Sequence, residues 1–318
     1  MATSGLTAFT MTRDDMIKSS LRLLTELGVG ESPIAEDYTN CNQALNLVLK
    51  SWQKKGAVLW TYAELEIPMV TGITQYPVGP TAGYLATAGF EILTEGVGGT
   101  DGTFALGITD TTGSGATGTF TVLDGVLTAI TITAAGSSYS ASPTFTFTPA
   151  AFSTAPTVDC RVVGITTNRP LRQIEAFLRT DDNDQDIPLI AISRMEYDRL
   201  GNKTTVGYPN QYYYDNQLGN ALVTFYNPPQ DLTRTVHLVV QRQIQDMILS
   251  TDNFDLPQEW LHAVKWGLAD ELSLEYGAEQ AIMDRIALRA QALLEECFDF
   301  SVEEASVYFT VDNQMRQH

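Results

Sequence analysis

From Ser32 to Gly56 the chain reads SPIAEDYTNCNQALNLVLKSWQKKG. Ile34, Tyr38, Cys41, Leu45, Val48 and Trp52 step through it by four, three, four, three and four residues. That spacing gathers them on one side of an α-helix. Ser32 with Pro33 behind it supplies a start, because proline has no N–H to lose in a first turn and its fixed φ suits one. Gly56 supplies the stop. A helix with one apolar stripe must bury it against another element, so this segment calls for partners.

Toward the N-terminus, Ile17, Leu21, Leu24 and Leu27 recur at helical spacing. Thr12 is placed to cap that helix, Asp15 lies in its first turn near the positive end of the dipole, and Gly28 ends it. A matching pair lies near the other end of the chain. Asp255, Pro257 and Gln258 open a segment carrying Leu261, Val264, Leu268 and Leu272, stopped at Gly277. Ile282, Ile286, Ala290, Leu293 and Cys297 mark a further helix. Neither pair has enough apolar surface alone, so the two are expected to pack as one bundle.

Between the pairs the period changes to two. Leu65, Ile67 and Met69 alternate with Glu64, Glu66 and Pro68; Ile174, Ala176 and Leu178 alternate toward a polar turn at Asp181–Asp186. Ile187–Ile192 reads as a returning strand, and Ser193 with Glu196 is a capping-box pattern for a short helix. Gln211–Asp215, Ala221–Tyr226 and Arg234–Gln243 read as a β-meander. From about Ala82 to Val158 the composition shifts to Gly, Thr, Ser and Ala, and no Lys or Arg occurs between Lys55 and Arg161. Alternations such as Thr119-Phe120-Thr121-Val122, with turns at Asp124-Gly125 and Gly136-Ser137-Ser138, predict an all-β module inserted in the larger sheet. The expected fold is therefore α+β. N- and C-terminal helices form one helical bundle (11–62 with 254–299), and an antiparallel β-sheet domain lies between them (63–81 with 159–253). An inserted all-β module (82–158) and an extended C-terminal arm (300–318) complete it.

With 318 residues and 44% hydrophobic side chains, the chain can bury a sizeable core. Its net charge of -19 argues against a nucleic-acid reader, which needs basic residues to displace counterions, and against docking on an anionic membrane. A conduit through which DNA slides, by contrast, gains from not binding it. Met1–Met11 has no basic segment followed by an apolar one, so no secretory signal is expected, nor is any apolar run long enough to span a bilayer. Cys41, Cys160 and Cys297 are far apart, form no metal-ligand spacing, and are expected to be small buried hydrophobes.

Little in the chain suggests an active site. His237 lies mid-strand, His318 is the last residue, and His262 follows Glu259 by one turn. A Glu-x-x-His pair ligates iron in bundle proteins only with a second such pair, so no metal is expected. The run Asp181, Asp182, Asn183, Asp184, Gln185, Asp186 resembles a calcium loop, but Ile187 stands where the turn glycine is needed and Ser193 where the bidentate Glu is needed. It reads as a solvated hairpin tip. Gly113–Gly118 precedes a strand and lacks a Lys, which weakens a phosphate-cradle reading. No cofactor and no catalytic residue is expected. In the block Tyr208–Tyr214, alternate tyrosines on a strand face opposite sides, so Tyr212, Tyr213 and Tyr214 divide between core and a subunit interface.

These motifs together resemble the head-completion, or packaged-DNA-stabilisation, adaptor proteins of short-tailed bacteriophages. The resemblance rests on Arg169-Pro170-Leu171-Arg172-Gln173-Ile174, Pro188-Leu189, Ser193-Arg194-Met195-Glu196-Tyr197 and Pro209-Asn210-Gln211-Tyr212-Tyr213-Tyr214. Phe225-Tyr226-Asn227-Pro228-Pro229, Pro257-Gln258-Glu259-Trp260 and Trp266-Gly267-Leu268-Ala269 follow in order. The insertion is similar to Gly/Thr-rich β modules of virion proteins through Asp124–Leu127 and Gly136–Thr144, and departs from the compact family pattern. The resemblance implies a non-enzymatic structural protein of the virion, at the portal–tail junction, assembled in the host cytoplasm. Its implied partners are the portal protein, other tail proteins (nozzle and fibres) and copies of itself, monomeric before assembly and then in a homo-oligomeric ring of twelve beneath the portal. Genomic DNA would pass through the lumen without specific binding.

The last residues carry Glu303 and Glu304, then Val307-Tyr308-Phe309-Thr310-Val311 and a polar end. Such a segment either folds back as a strand on the parent sheet or orders on assembly. The resemblance favours the second, with Val307, Tyr308, Phe309 and Val311 as portal or subunit contacts. Two other functions compete: a receptor- or glycan-binding or decoration protein that uses the inserted module, and a peptidoglycan-degrading enzyme with paired carboxylates. Long helices and a polar tail disfavour the first; no carboxylate in a recognisable motif supports the second.

Overall fold

The computed structural model describes residues 9–28, 30–55, 59–148, 150–182 and 184–301. They divide into two compact units, one of residues up to Thr61 and from Ile244, the other Tyr62–Gln243. The helices are α1 (Arg13–Leu23), α2 (Ala35–Trp52), α3 (Arg194–Arg199), α4 (Leu261–Ser273) and α5 (Gln280–Phe300); α3 belongs to the second unit.

In the first unit the helix ends follow local chemistry. The Thr12 hydroxyl accepts from the Asp15 amide at 3.2 Å and starts α1. The α2 helix begins at Ala35, later than Ser32-Pro33 predict, because the Asp37 carboxylate accepts from the Ile34 amide at 3.1 Å and makes Ile34 the cap. Leu261, Ala263, Val264, Leu268, Ala269 and Leu272 bury more than one side of α4. Accordingly α1, α2 and α5 all lie against α4. Trp260 anchors the core, its ring 6.2 Å from Trp52, 6.0 Å from Trp60 and 5.3 Å from Phe298.

The second unit carries β1 (Tyr62–Pro68) and β2 (Gln75–Gly79), and then the insertion. The inserted strands are β3 (Phe90–Thr94), β4 (Gly102–Ala105), β5 (Gly107–Thr109), β6 (Ser114–Leu123), β7 (Val126–Ser137), β8 (Thr144–Thr146) and β9 (Thr157–Cys160). It continues with β10 (Ile165–Thr166), β11 (Arg172–Thr180), β12 (Asp186–Pro188) and β13 (Ile190–Ala191), then α3. It closes with β14 (Gln211–Asp215), β15 (Ala221–Tyr226) and β16 (Arg234–Gln241). One sheet has the order β1-β16-β11-β12, a second β10-β2-β15-β14-β13. Ile67, Leu178, Val236 and Leu238 of the first meet Tyr76, Val78, Tyr212, Val223 and Phe225 of the second in one buried core. Alternation along each strand supplies these inward residues.

The expected α+β class is corrected by this architecture. Among the described residues the chain is mostly β, with sixteen strands in five sheets and only four helices of seven residues or more. Those four stand at the two ends of the chain, and their arrangement around α4 is not the bundle expected. The single antiparallel sheet is also corrected. The β-strands β14 and β15 are antiparallel neighbours, but β16 pairs with β1 and β11 in the other sheet, so the meander does not exist. Two pairs, β2 with β10 and β13 with β14, are parallel.

The insertion has a small core of its own around Leu106, Phe120, Val122, Leu127 and Ile130. The β6–β7 turn falls on Asp124 and Gly125, both at positive φ (53° and 79°), the backbone that an Asp-Gly hairpin favours. Outward on these strands stand Thr103, Thr117, Thr119, Thr121, Thr131 and Thr133, with hydroxyl pairs Thr103–Thr121 at 3.1 Å and Thr117–Thr133 at 2.9 Å. Its linkers meet where the Arg161 amide donates to the Gly89 carbonyl at 2.9 Å. Tyr139 reaches back from the module: its amide donates to Gly83 at 3.1 Å, and its carbonyl accepts from the Thr166 hydroxyl at 3.0 Å.

Candidate interaction surfaces

The residues with the most chemical potential are taken up by structural contacts. Cys41 and Cys160 are buried and Cys297 half-buried. Burial, with Asp159 adding to it, pushes the Cys160 thiol up to about 12, where a thiolate nucleophile is not available at neutral pH. The Nε2 of His262 accepts from Trp266 Nε1 at 3.0 Å, while Glu259 Oε1 accepts from Gln258, so this Glu and His do not converge. His237 lies flat on Phe177, ring centroids 5.0 Å apart, with Nδ1 on the Glu64 carboxylate. Among the described residues no three His, Cys, Asp or Glu side chains are grouped to hold a metal.

The acidic run turns outward to arginines instead of inward to a common centre. Asp186 takes Arg179 through both carboxylate oxygens, at 2.7 and 2.9 Å, and Asp181 binds Arg161 and the Thr235 hydroxyl. The Gly113–Gly118 stretch leads into β6, with the Asp110 carboxylate accepting from the Thr112 and Gly113 amides. Those bonds make a turn of it, not a phosphate cradle. Val307, Tyr308, Phe309 and Val311 lie outside the described residues.

The tyrosines of β14 separate by pleat. Tyr212 is fully buried in the unit's core, 6.3 Å from Phe225. Tyr213, on the other face, packs its ring 5.8 Å from Tyr197 of α3, whose own ring carries Lys203 Nζ at 4.5 Å. Tyr214 is half-buried. The Ser193 capping box that the sequence predicts holds α3 in place: the Ser193 amide donates to Glu196 at 2.7 Å and the Glu196 amide to the Ser193 hydroxyl at 3.3 Å. Yet α3 buries none of its residues. Next to it the chain passes from one sheet to the other. The β12 strand edges the first sheet, the Leu189 amide donates to Ala176 at 2.9 Å, and β13 edges the second beside β14. Ile187, Ile190, Met195, Val206 and Tyr208 are all exposed along this path.

No family model matches the chain, and a search of curated proteins finds no match either.

Five large apolar side chains within about twenty residues, two on edge strands, one on an unburied helix and two in the loop before β14, form a surface chemistry different from that of a pocket. Their scattered polar neighbours offer hydrogen bonds but no enclosed volume. Such a surface gains free energy by being covered, at about 25 cal/mol for each Å² of apolar area removed from water. Sequence reading singled out Tyr213, Pro188-Leu189 and, within the Ser193–Tyr197 motif, Met195, but not Ile190 or Val206 as surface residues. They are isolated apolar residues, one on a sheet edge and one in the loop before β14, whose exposure no local pattern announces.

Proposed function

We propose that this chain is a structural virion protein, the adaptor ring that joins a portal to the tail of a short-tailed bacteriophage and helps retain packaged DNA. One observation carries the reading. Four of the five segments that resemble the adaptor family within the second unit are neighbours: Pro188-Leu189 at the sheet switch, Ser193–Tyr197 at α3, Pro209–Tyr214 at β14 and Phe225–Pro229 at the end of β15, with Pro188, Met195 and Asn210 exposed among them. Residues shared for catalysis would gather at a cleft with perturbed acids and bases; these lie along two sheet edges and an unburied helix, which suits a surface that another subunit covers. The charge of -19 fits a lumen that lets a duplex slide without phosphate contacts. The partners are then the portal, tail proteins and neighbouring copies, twelve in a closed ring.

Imaging the purified chain mixed with portal rings of the same virus tests the proposal. Added ring-shaped density at one end of the portal is the expected result; portal rings that stay bare at saturating chain would refute it. A second reading, glycan binding by the insertion, draws on that module's own core and its uncharged threonine face. A glycan array probed with the full chain distinguishes the two.

A further inference from the structure

Two features of the first unit are built for contact, and neither serves the surface described above. The first is a loop. Ile248 and Leu249 are 71% and 62% exposed, unusual for adjacent large aliphatic residues. Their backbone is nevertheless held at every turn. The Asp252 carboxylate accepts from both amides, at 2.8 and 2.6 Å, and the Asp252 amide donates back to Leu249 at 3.1 Å. Arg13 donates to the Ile248 carbonyl at 2.7 Å. Just before them, Met247 is buried, and its amide and carbonyl are both bonded to the Asn46 side chain, at 2.9 and 3.0 Å. A loop under no demand for order would leave such residues mobile; this one presents them as a rigid knob.

The second feature is a groove of about 630 Å³ where the end of α1 meets α4 and α5. Its walls are Leu23, Trp266, Ile282 and Ile286, with Leu288, 74% exposed, on the rim. Among the described residues the only charged side chains lining it are Arg285 and Arg289, and neither has a carboxylate partner there. In a chain of net charge -19 with 19 basic residues, two unpaired guanidinium groups flanking an apolar groove select an apolar segment with acidic neighbours.

The knob has that chemistry. Between Gln243 and Lys265 the sequence carries Asp246, Asp252, Asp255 and Glu259 and no Lys or Arg, and Lys50 lies on Asp246, at 2.7 Å. Arg13 is engaged by Asp14 at 2.8 Å. Knob and groove also sit at opposite ends of α1, the knob against Arg13 and the groove against Leu23. Eleven helical residues separate them by about 15 Å, so a copy cannot fill its own groove with its own knob.

We infer that the Ile248–Leu249 knob of one copy seats in the Arg285/Arg289 groove of the next, a head-to-tail contact between identical chains. Such a heterologous contact adds subunits in one direction and yields a ring when its rotation closes. The rigid backbone leaves little ordering entropy to lose on docking. The inference deepens the adaptor reading by naming its self-contact, and relies on that reading only for the statement that copies associate.

The test uses the full chain in sedimentation velocity from micromolar to millimolar concentration. The knob variant is Ile248→Asp with Leu249→Asp, the groove variant Arg285→Glu with Arg289→Glu; Ile248→Ser with Leu249→Ser is a milder knob change. All four residues are exposed, and circular dichroism and melting confirm that each variant folds. The wild type is expected to associate with rising concentration, and each variant alone to weaken that association by more than about tenfold. Mixed in equal amounts, the two variants are expected to form a 1:1 dimer and stop, because only one intact knob and one intact groove remain. Where the wild type stays monomeric in solution, as the resemblance implies before assembly, the same variants are imaged on portal rings, and a knob or groove variant that fills the ring as the wild type does overturns the inference. So does a knob variant that associates normally while the groove variant does not, which would assign the groove to another segment such as residues 302–318. Portal binding in the imaging experiment reports separately on the adaptor role.

Discussion

Gly267 stands where α4 crosses α2, and a single added carbon there tests the packing of the first unit by its sign. A Cβ on Gly267 would lie 2.6 Å from Trp52 Cζ2, 3.2 Å from Cη2 and 3.6 Å from Val48 Cγ1. Carbon atoms settle at about 3.5–4.0 Å, so the ring would have to retreat by about 1 Å. It has little room to do so: Trp52 is buried, and its ring already lies against Trp260. Two effects oppose each other in Gly267→Ala. Relief of glycine's conformational entropy in a helix favours alanine by about 1 kcal/mol. Overpacking a filled site costs about 1–3 kcal/mol. The clash wins, and the expected net loss is about 1 kcal/mol. In a Trp52→Phe background the two clashing atoms are gone, and the same change should stabilise by about 1 kcal/mol. Urea unfolding followed by helical circular dichroism reads the first unit, which holds the four long helices. If Gly267→Ala stabilises both backgrounds alike, α2 does not cross α4 at this glycine and the reasoning fails.

Three further outcomes follow from particular contacts. The Leu249 and Ile248 amides, in that order, hold the Asp252 carboxyl below its usual range, with Arg13 adding to them, so the knob's order is present above the ordinary carboxylate value near 4 and lost as pH falls through the lowered one; the protection of the Ile248 and Leu249 amides, taken relative to intrinsic exchange at each pH, should hold above the ordinary value and fall below the lowered one, and protection unaffected by Asp252→Ala would remove Asp252 as the cause. Replacing residues 90–160 with a Gly-Gly link, across the Gly89–Arg161 hydrogen bond, should leave a chain that melts cooperatively with Tyr84 still bridged to Val163, although uncovering Leu85 and Val162 should cost about 2–4 kcal/mol; a chain that does not fold would make the insertion part of the core. Ending the chain after Ser301 should give a soluble protein that no longer joins portal rings in a pull-down, whereas undiminished binding would remove Val307–Val311 from the contact.

Local chemistry was legible in the sequence to the extent that it is self-contained. The Thr12 cap, the Ser193 capping box and the Asp124-Gly125 turn each depend on a few neighbouring atoms, and each stands where the residues imply. The α2 stripe is equally local: Cys41, Leu45, Val48 and Trp52 are all buried. The class of the fold was not legible, for a physical reason. Period-two alternation says that one side of a strand is buried but not which sheet covers it. Ile187–Ile192 reads as one strand, yet the chain turns at Leu189 and gives Ile187 and Pro188 to one sheet and Ile190 and Ala191 to the other. The change happens beside Pro188, which has no amide to continue the first ladder. Arg234–Gln241 alternates in the same way as β14 and β15 but pairs elsewhere, because the residues after Tyr226 carry it to the opposite sheet. The two-residue strands β10 and β13 are too short to show any period, and they supply the parallel pairings.

The surfaces were harder to read than the core for a related reason. Burial repeats along an element and leaves a pattern; exposure of an apolar residue is a single event. Ile248 and Leu249 look in sequence like the inward residues of a strand ending, because nothing local says that Met247 alone turns inward. Their exposure is fixed by Asn46 and Arg13, about two hundred residues away, and by Asp252, whose role appears only once the loop is closed. Arg285 and Arg289 likewise look like ordinary solvated positions on α5 until the end of α1 is set beside them. What sets Arg285 and Arg289 apart is their place: both flank one apolar groove, in a chain whose charge excess is acidic. If the mixed variants form a 1:1 dimer and go no further, the contact has one direction, and the geometry of a ring follows from the angle between knob and groove on one rigid unit.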